Sequence, residues 1–310
     1  MDLSALSPVE IMMSLIVAAT PLLFAAIGEL VVEKSGVLNL GVEGMMIVGA
    51  IGGFAAADAT GSFILAVVAG AAAGAALALI FALMTQYLMS NQVATGLALT
   101  LFGLGIAALL GQGYAGKTLA VSVRLEAPGL TDLPVVGRLI FGQDPLVYAS
   151  LAMVFAVWWF LNRSRAGLIL RAVGENHDAA HAIGHAVRRI RVAAILFGGA
   201  MAGVGGAYLA VVQTPLWAEG MTVGRGWIAL AIVVFAAWRP WRALLGAYLF
   251  GGVTIIQLNL QALGIPVESQ YLSMAPYLVT IVVLVVISAD GARARLNAPA
   301  CLGKSFFATS

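Results

Sequence analysis

Glu29, Glu33, Lys34, Asn39 and Glu43 fall within GELVVEKSGVLNLGVEGMM, residues 28–46, between two strongly apolar segments. A carboxylate or carboxamide in lipid is costly unless it faces a partner or water. Such residues point to a solute pathway, an ion-coupling carboxylate or a helix–helix hydrogen bond. Glycines flank Glu29, Asn39 and Glu43 and can unwind a helix, and an unwound helix near the midplane offers backbone groups to a substrate. Asn91, Gln92 and Thr95 open another apolar run, and Gln257, Asn259 and Gln261 lie near the end of a third. The candidate pathway residues are therefore Asn39, Glu43, Asn91, Gln92, Gln257 and Asn259. Helix–helix bonding, or a place near the headgroups, is the competing reading for each. Arg225, in GRGW, is expected to anchor a loop or interface, and Trp217 and Trp227 to mark a membrane boundary.

The three histidines, His177, His181 and His185, are spaced four apart and on one helix face could hold a metal. Gly184 interrupts that face and only Asp178 stands at a matching turn, so no metal site is expected. With every histidine outside the apolar runs, no Ser/His, Asp/Asp or His/Glu constellation remains within them, which argues against an intramembrane enzyme. ACLGKS, 300–305, places Lys304 and Ser305 after Gly303. The earlier glycine of a phosphate-binding loop is Ala298 here, and no strand precedes it. The chain is thus expected to bind no cofactor and to draw energy from a partner or an ion gradient.

These residues must be positioned by membrane helices. The 310 residues are 62% hydrophobic and 10% charged, with mean hydropathy +1.01, whereas soluble domains carry about 25% charged residues. A net charge of +2 gives no reason to expect nucleic acid, and the single cysteine, Cys301, excludes an intrachain disulfide. MDLSALSPVE lacks the basic region of a cleavable signal. Apolar runs long enough to span occupy roughly 9–32, 42–58, 62–84, 93–112, 144–161, 192–213, 243–262 and 273–288, with a shorter run at 226–238. In lipid the backbone must satisfy its own hydrogen bonds, so these read as helices. The fold expected is all-α, a polytopic transmembrane bundle of about eight to ten segments, with a broken or re-entrant segment near 33–44. The pairs Gly49/Gly53, Gly70/Gly74 and Gly199/Gly203 fit close helix packing.

Basic residues orient the bundle. Residues 162–191 hold six of the sixteen, RPWR at 239–242 adds two, and Arg293, Arg295 and Lys304 lie in the tail at 289–310. All three regions are expected to face the cytoplasm. The connection 113–143, rich in Pro and Gly, then forms an external cap of a single domain, 1–310. The side of the N-terminus stays open, since 33–41 reads equally as an inner loop or a turn within the protein. In the 162–191 loop, LILRAV ends a helix that Gly174 can stop. Asp178 can cap a short helix, AAHAI, that Gly184 ends.

SGVLNLGVEGMM resembles the permease family that serves branched-chain amino acids, simple sugars and nucleosides, and within it the nucleoside-type branch. RAVGENHDAA…G at 171–184, MTVGRGWIALAIVVFAAWRP at 221–240 and NQVATGLAL at 91–99 extend the likeness in order over most of the chain. The family pattern has Pro where His177 stands, which implies a less rigid start to the short helix. The resemblance implies a permease subunit of an ATP-binding-cassette (ABC) importer, a pathway for a small polar solute such as a nucleoside or simple sugar. Its implied partners are a cytoplasmic ATPase subunit that uses ATP, a second permease subunit, identical or different, and an external substrate-binding lipoprotein. The implied location is the bacterial inner membrane with a cytoplasmic C-terminus. Asp178, Ala179, Ala180 and Gly184 are similar to the Glu-Ala-Ala…Gly loop that docks into the ATPase. A secondary transporter or channel driven by an ion gradient, with Glu29 or Glu43 as coupling carboxylate, is the alternative.

Overall fold

The structure is a computed structural model that describes residues 8–119, 136–262, 270–271, 274–289 and 297–307. Twelve helices occur among them. They are α1 (Pro8–Lys34), α2 (Val42–Thr60), α3 (Phe63–Ala82), α4 (Gln92–Gly111), α5 (Val136–Phe141) and α6 (Pro145–Arg163), then α7 (Arg165–Glu175), α8 (His177–Ala182), α9 (Val187–Tyr208), α10 (Arg225–Phe235), α11 (Pro240–Ala262) and α12 (Ala275–Ala289). A π-helical turn lengthens α3 to Tyr87 and another lengthens α9 to Gln213. Seven of these helices are long and apolar enough to cross a membrane, and α10 is a shorter apolar helix. Starts follow local chemistry: Ser62, Asn91, Asp144 and Ser164 each accept a backbone N–H of the helix they precede.

α1, α2 and α9 form the buried centre, while α3, α4, α6 and α11 turn apolar faces outward. Such outward residues as Ile64, Leu101, Leu109 and Leu245 suit a lipid environment. Gly28 of α1 meets Gly198 of α9, and Pro21 meets Gly205, so these two helices run antiparallel. Gly70 and Gly74 of α3 lie against Gly203 and Gly199, again antiparallel. Gly49 and Gly53 of α2 lie against Gly203 and Ala207. The three expected glycine pairs therefore form one seam where α2, α3 and α9 touch backbone to backbone. A side chain at Gly203 would collide with the Gly70 carbonyl, so helices approach here through van der Waals contact rather than through burial from water.

The directions give two ends. At one, called the loop end, lie the end of α1, α7, α8, the start of α9 and the segment 297–307. At the far end Lys117 pairs with Asp58 at 3.1 Å, and Leu119 donates to the Pro215 carbonyl at 2.9 Å. Because α1 ends at the loop end, its start at Pro8 lies at the far end. Of the expected external connection, 120–135 lie outside the described residues; of the tail, so do 290–296 and 308–310. Trp217, expected at a membrane boundary, is instead buried against Phe54 and Gly111.

Candidate functional site

α1 closes with Ser35 and Gly36. The Ser35 hydroxyl donates to the Val32 carbonyl at 2.6 Å, and Gly36 takes φ +87°, the left-handed turn that ends a helix. The chain then climbs back into the bundle. Asn39 N–H donates to Glu29 Oε1 at 3.3 Å, and Glu29 lies about 7.5 Å of helix inside the end of α1. α2 therefore begins within the bundle, which is the broken segment expected near 33–44.

A buried non-helical stretch must satisfy its backbone from neighbours. Leu38 N–H donates to Gln92 Oε1 at 2.8 Å, Gly41 N–H to Asn39 Oδ1 at 2.9 Å, and the Thr100 hydroxyl to the Leu40 carbonyl at 3.1 Å. Asn39 is fully buried and its amide also donates to Glu29 Oε2 at 3.4 Å. Glu33, one turn after Glu29, accepts the Trp238 indole N–H at 2.5 Å. Trp238 and Ala237 hold positive φ, a strained conformation for non-glycine residues, in the turn from α10 to α11.

Glu43 sits in the first turn of α2 and reaches the first turn of α10. It accepts the Gly226 N–H at 2.7 Å and the Thr222 hydroxyl at 2.8 Å, with the N–H groups of Gly224 and Trp227 also facing it. A Cβ on Gly226 would lie 2.5 Å from Glu43 Cα, so only glycine admits this approach. At 11 residues, α10 is about 16 Å long and cannot span a core of about 30 Å. A carboxylate thus meets the N-terminus of a half-helix inside the protein, where backbone N–H groups and the helix dipole favour an anion. Arg225 bonds the Gln213 side chain at 3.3 Å, a loop anchor.

The six pathway candidates separate in this structure. Asn39 and Glu43 are joined to the turn and to α10. Gln92 is buried beside them, and its Nε2 makes no hydrogen bond among the described residues. Asn91 is exposed and caps α4 by accepting the Ala94 N–H at 3.0 Å. Asn259 donates to the Ile255 carbonyl of its own helix at 2.9 Å, and Gln257 is half-buried one turn from the end of α11. α11 is packed against α1 rather than against the turn at 35–41, so Gln257 and Asn259 are not brought to the Gln92 cluster.

At the loop end, α7 runs through Gly174 to Glu175 instead of stopping at Gly174. That glycine serves close approach: α1 passes so near that a Cβ would strike the Lys34 carbonyl. The cap of α8 is Asn176, which accepts the Ala179 N–H at 3.0 Å, and not Asp178, which is the second residue of the helix. Gly184 follows α8 with φ +91°, as the sequence implied. Asp178, Ala179 and Gly184 are exposed, whereas Ala180 is buried with Val173, Val187 and Phe306.

Residues 297–307 strap this end together. Cys301 N–H donates to the Gly174 carbonyl at 2.9 Å, Gly303 N–H to the Gly36 carbonyl at 3.1 Å, and Lys34 to the Asn297 carbonyl at 2.8 Å. Arg191, fully buried, donates to Ser35 O at 3.2 Å, Lys304 O at 3.0 Å and His177 Nδ1 at 3.1 Å. Burial and the Arg191 guanidinium push the His177 imidazole below its ordinary pKa. Phe306 sets its ring edgewise to His177 and His181, at 5.4 and 5.2 Å. His177 is therefore tied in place, against the looser helix start that a missing proline implied, and it packs on a phenylalanine and an arginine.

A many-helix apolar chain, a half-helix meeting a buried carboxylate and a short helix held at one end describe a transporter body. Residues 11–287 match the family described as branched-chain amino acid transport system / permease component. The chain belongs to this permease family. Among relatives, the permease is 42% identical to a putative glucose ABC transporter permease protein of Haloferax volcanii, over 93% of this chain and 94% of the relative. It is 32% identical to a nucleoside ABC transporter permease protein of Lactococcus lactis, over 88% and 90% of the two chains. It is also 32% identical to a guanosine ABC transporter permease protein of Bacillus subtilis, over 87% and 89%. The permease is a multi-pass membrane protein, a transport subunit and not itself an enzyme.

Proposed function

We propose that this permease forms the translocation pathway of an ABC importer for a small hydroxylated solute, a simple sugar or a nucleoside. ATP is hydrolysed by a separate ATPase subunit that docks on α8, and this chain binds no cofactor. The observation that carries the reading is the exposed edge of α8. Strap and Arg191 hold the helix from behind, while Asp178, Ala179 and His181 face outward and Ile183 is 73% exposed. An apolar side chain so displayed in a basic loop suits a groove on a partner. The excess of Arg in 162–191 supports a cytoplasmic loop end, hence an outer N-terminus and an inner C-terminus. A second permease subunit, an external binding lipoprotein and the bacterial inner membrane complete the proposal. The printed substrates of the relatives support sugar or nucleoside. Gln92, with an unbonded buried donor beside the turn, is the proposed solute contact; Asn39 and Glu43 hold the pathway's shape.

The test is uptake of labelled glucose and labelled adenosine by cells expressing the complete transporter. Uptake should be vanadate-sensitive, and Ala179→Trp should abolish both uptake and ATPase co-purification with normal amounts of permease in the membrane. Normal uptake with Ala179→Trp, or uptake stopped by a protonophore but not by vanadate, would overturn the coupling scheme. Transport of leucine alone would overturn the substrate class and leave the scheme standing.

A further inference from the structure

Three membrane helices meet at the loop end. α1 finishes at Lys34, α6 at Arg163, and α11 starts at Pro240. Between these ends, bounded by α7 and the strap, lies a cavity of about 490 Å³. Lys34, Arg171, Arg239 and Arg242 line it, and no acidic residue among those described does. Trp158, Trp238 and Trp241 also line it, with the neutral Leu161, Asn162, Pro240 and Asn297.

The positive charge here is poorly opposed. Arg171 and Arg239 both repel Lys34, and among the described residues Glu175 attracts it. Glu175 is exposed and bonded to the strap through Ala300 N–H at 3.4 Å. Glu33 is engaged by Trp238. Lys34 has the neutral Asn297 carbonyl as partner, and Arg171 Nε is buried without a hydrogen bond among the described residues. A gathered, partly desolvated set of cations is stabilised by an anion with several acceptor oxygens.

Position selects among anions. The cavity touches the last turn of α6 and the first turn of α11, so it lies at the depth where a membrane helix leaves the hydrocarbon. Indoles concentrate at that depth, and Trp158 and Trp241 stand 6.4 Å apart there. Beside it, Phe155 and Trp159 of α6 and Leu245 and Leu249 of α11 are exposed and apolar, a surface for acyl chains. We propose that this pocket binds the phosphodiester headgroup of an anionic phospholipid. Arg171 and Lys34 form its inner wall, and the exposed Arg239 and Arg242 form its mouth. Basic pockets between helix ends suit such headgroups. The inference rests on the membrane placement of the helices and not on the solute carried.

The test uses the full chain purified in nanodiscs of phosphatidylcholine mixed with cardiolipin or phosphatidylglycerol, with retained lipid read by native mass spectrometry. Wild type should retain the anionic lipid and not phosphatidylcholine. Each mouth charge removed should weaken retention about fivefold, so Arg239→Gln with Arg242→Gln should lose about thirtyfold. Arg239→Lys with Arg242→Lys keeps the charges and should retain most lipid, which separates binding from folding. Equal retention by wild type and the double glutamine variant would overturn the proposal. So would displacement of the lipid by millimolar inorganic phosphate, which would make the site one for a free anion. Loss of ATPase co-purification in the glutamine variant with lipid retention unchanged would make the patch a partner surface and also overturn it.

Discussion

Replacing Glu43 with alanine removes the acceptor shared by the Gly226 N–H at 2.7 Å and the Thr222 hydroxyl at 2.8 Å. Interhelical hydrogen bonds in membrane proteins contribute about 0.6–1.7 kcal/mol each, so the two supply about 1–3 kcal/mol. The interaction of a carboxylate with a helix N-terminus adds up to about 2 kcal/mol in a buried setting. Glu43→Ala should then cost about 2–5 kcal/mol. At about 2 °C per kcal/mol for a chain of this size, the thermal midpoint in detergent should fall by about 4–10 °C. Glu43→Gln keeps one oxygen and nearly the same shape, so it should recover at least half of the loss. Uptake should follow stability: lowered strongly in Glu43→Ala, mildly in Glu43→Gln, with apparent affinity unchanged in both. A residue acting as substrate ligand or proton carrier would behave otherwise. Glu43→Gln would then keep full stability and lose transport. That outcome, or a wild-type midpoint for Glu43→Ala, refutes the view that Glu43 pins α10 to α2.

Gly203→Val should abolish accumulation of folded protein, because its side chain would enter the backbones of Gly70 and Gly74; normal levels of a fluorescent fusion in the membrane would refute the shared seam. Phe306→Ala should release the strap and raise the labelling rate of Cys301, the sole cysteine and 9% exposed, by at least about tenfold; unchanged labelling would show that Phe306 does not hold it. The strap should also loosen in acid. His177 titrates below its ordinary value of 6.5 when folded, so its contribution is complete above about pH 6.5 and declines as pH falls through the folded pKa. Measured against a free thiol labelled at the same pH, which corrects for the smaller thiolate fraction in acid, Cys301 labelling should accordingly rise on acidification in the wild type and much less in His177→Pro.

How legible each feature was depended on the range of the interaction that makes it. Spans could be read because hydrophobic length is a local property: the shorter run at 226–238 corresponds to α10 and its turn at Trp238, and the glycine pairs lie in the seam of α2, α3 and α9. The break near 33–44 is legible from the glycines that flank Asn39 and Glu43, and the structure sets its turn at Ser35 and Gly36. The start of α8 was misread by two positions because Asn176 and Asp178 are both good caps, and the choice follows from the backbone of Asn176, which is extended while Asp178 is already helical. Ala180 looked like docking surface because small residues suit a close partner. The partner it meets is Phe306 of the same chain, 126 positions away, and nothing local to either residue announces the contact.

Arg191 shows the same limit most sharply. Counted with Arg188 and Arg189 it is one more basic residue flanking a span, which is all that a count of charges conveys. Yet it is completely buried, and its donors reach Ser35, His177 and Lys304, residues from three separate parts of the chain. A guanidinium presents five donors in a rigid plane, so one side chain can fix the end of α1, the start of α8 and the strap at once. Lysine would keep the charge and lose that geometry. Charge and geometry thus act at different levels here: the charge is a property of composition and biases which side of a membrane a loop takes, while the fork of donors joins α8 to the turn before α2. Any displacement of α8 by a partner must then be felt at Ser35 and Gly36, the residues from which the chain turns back toward Asn39 and Glu43.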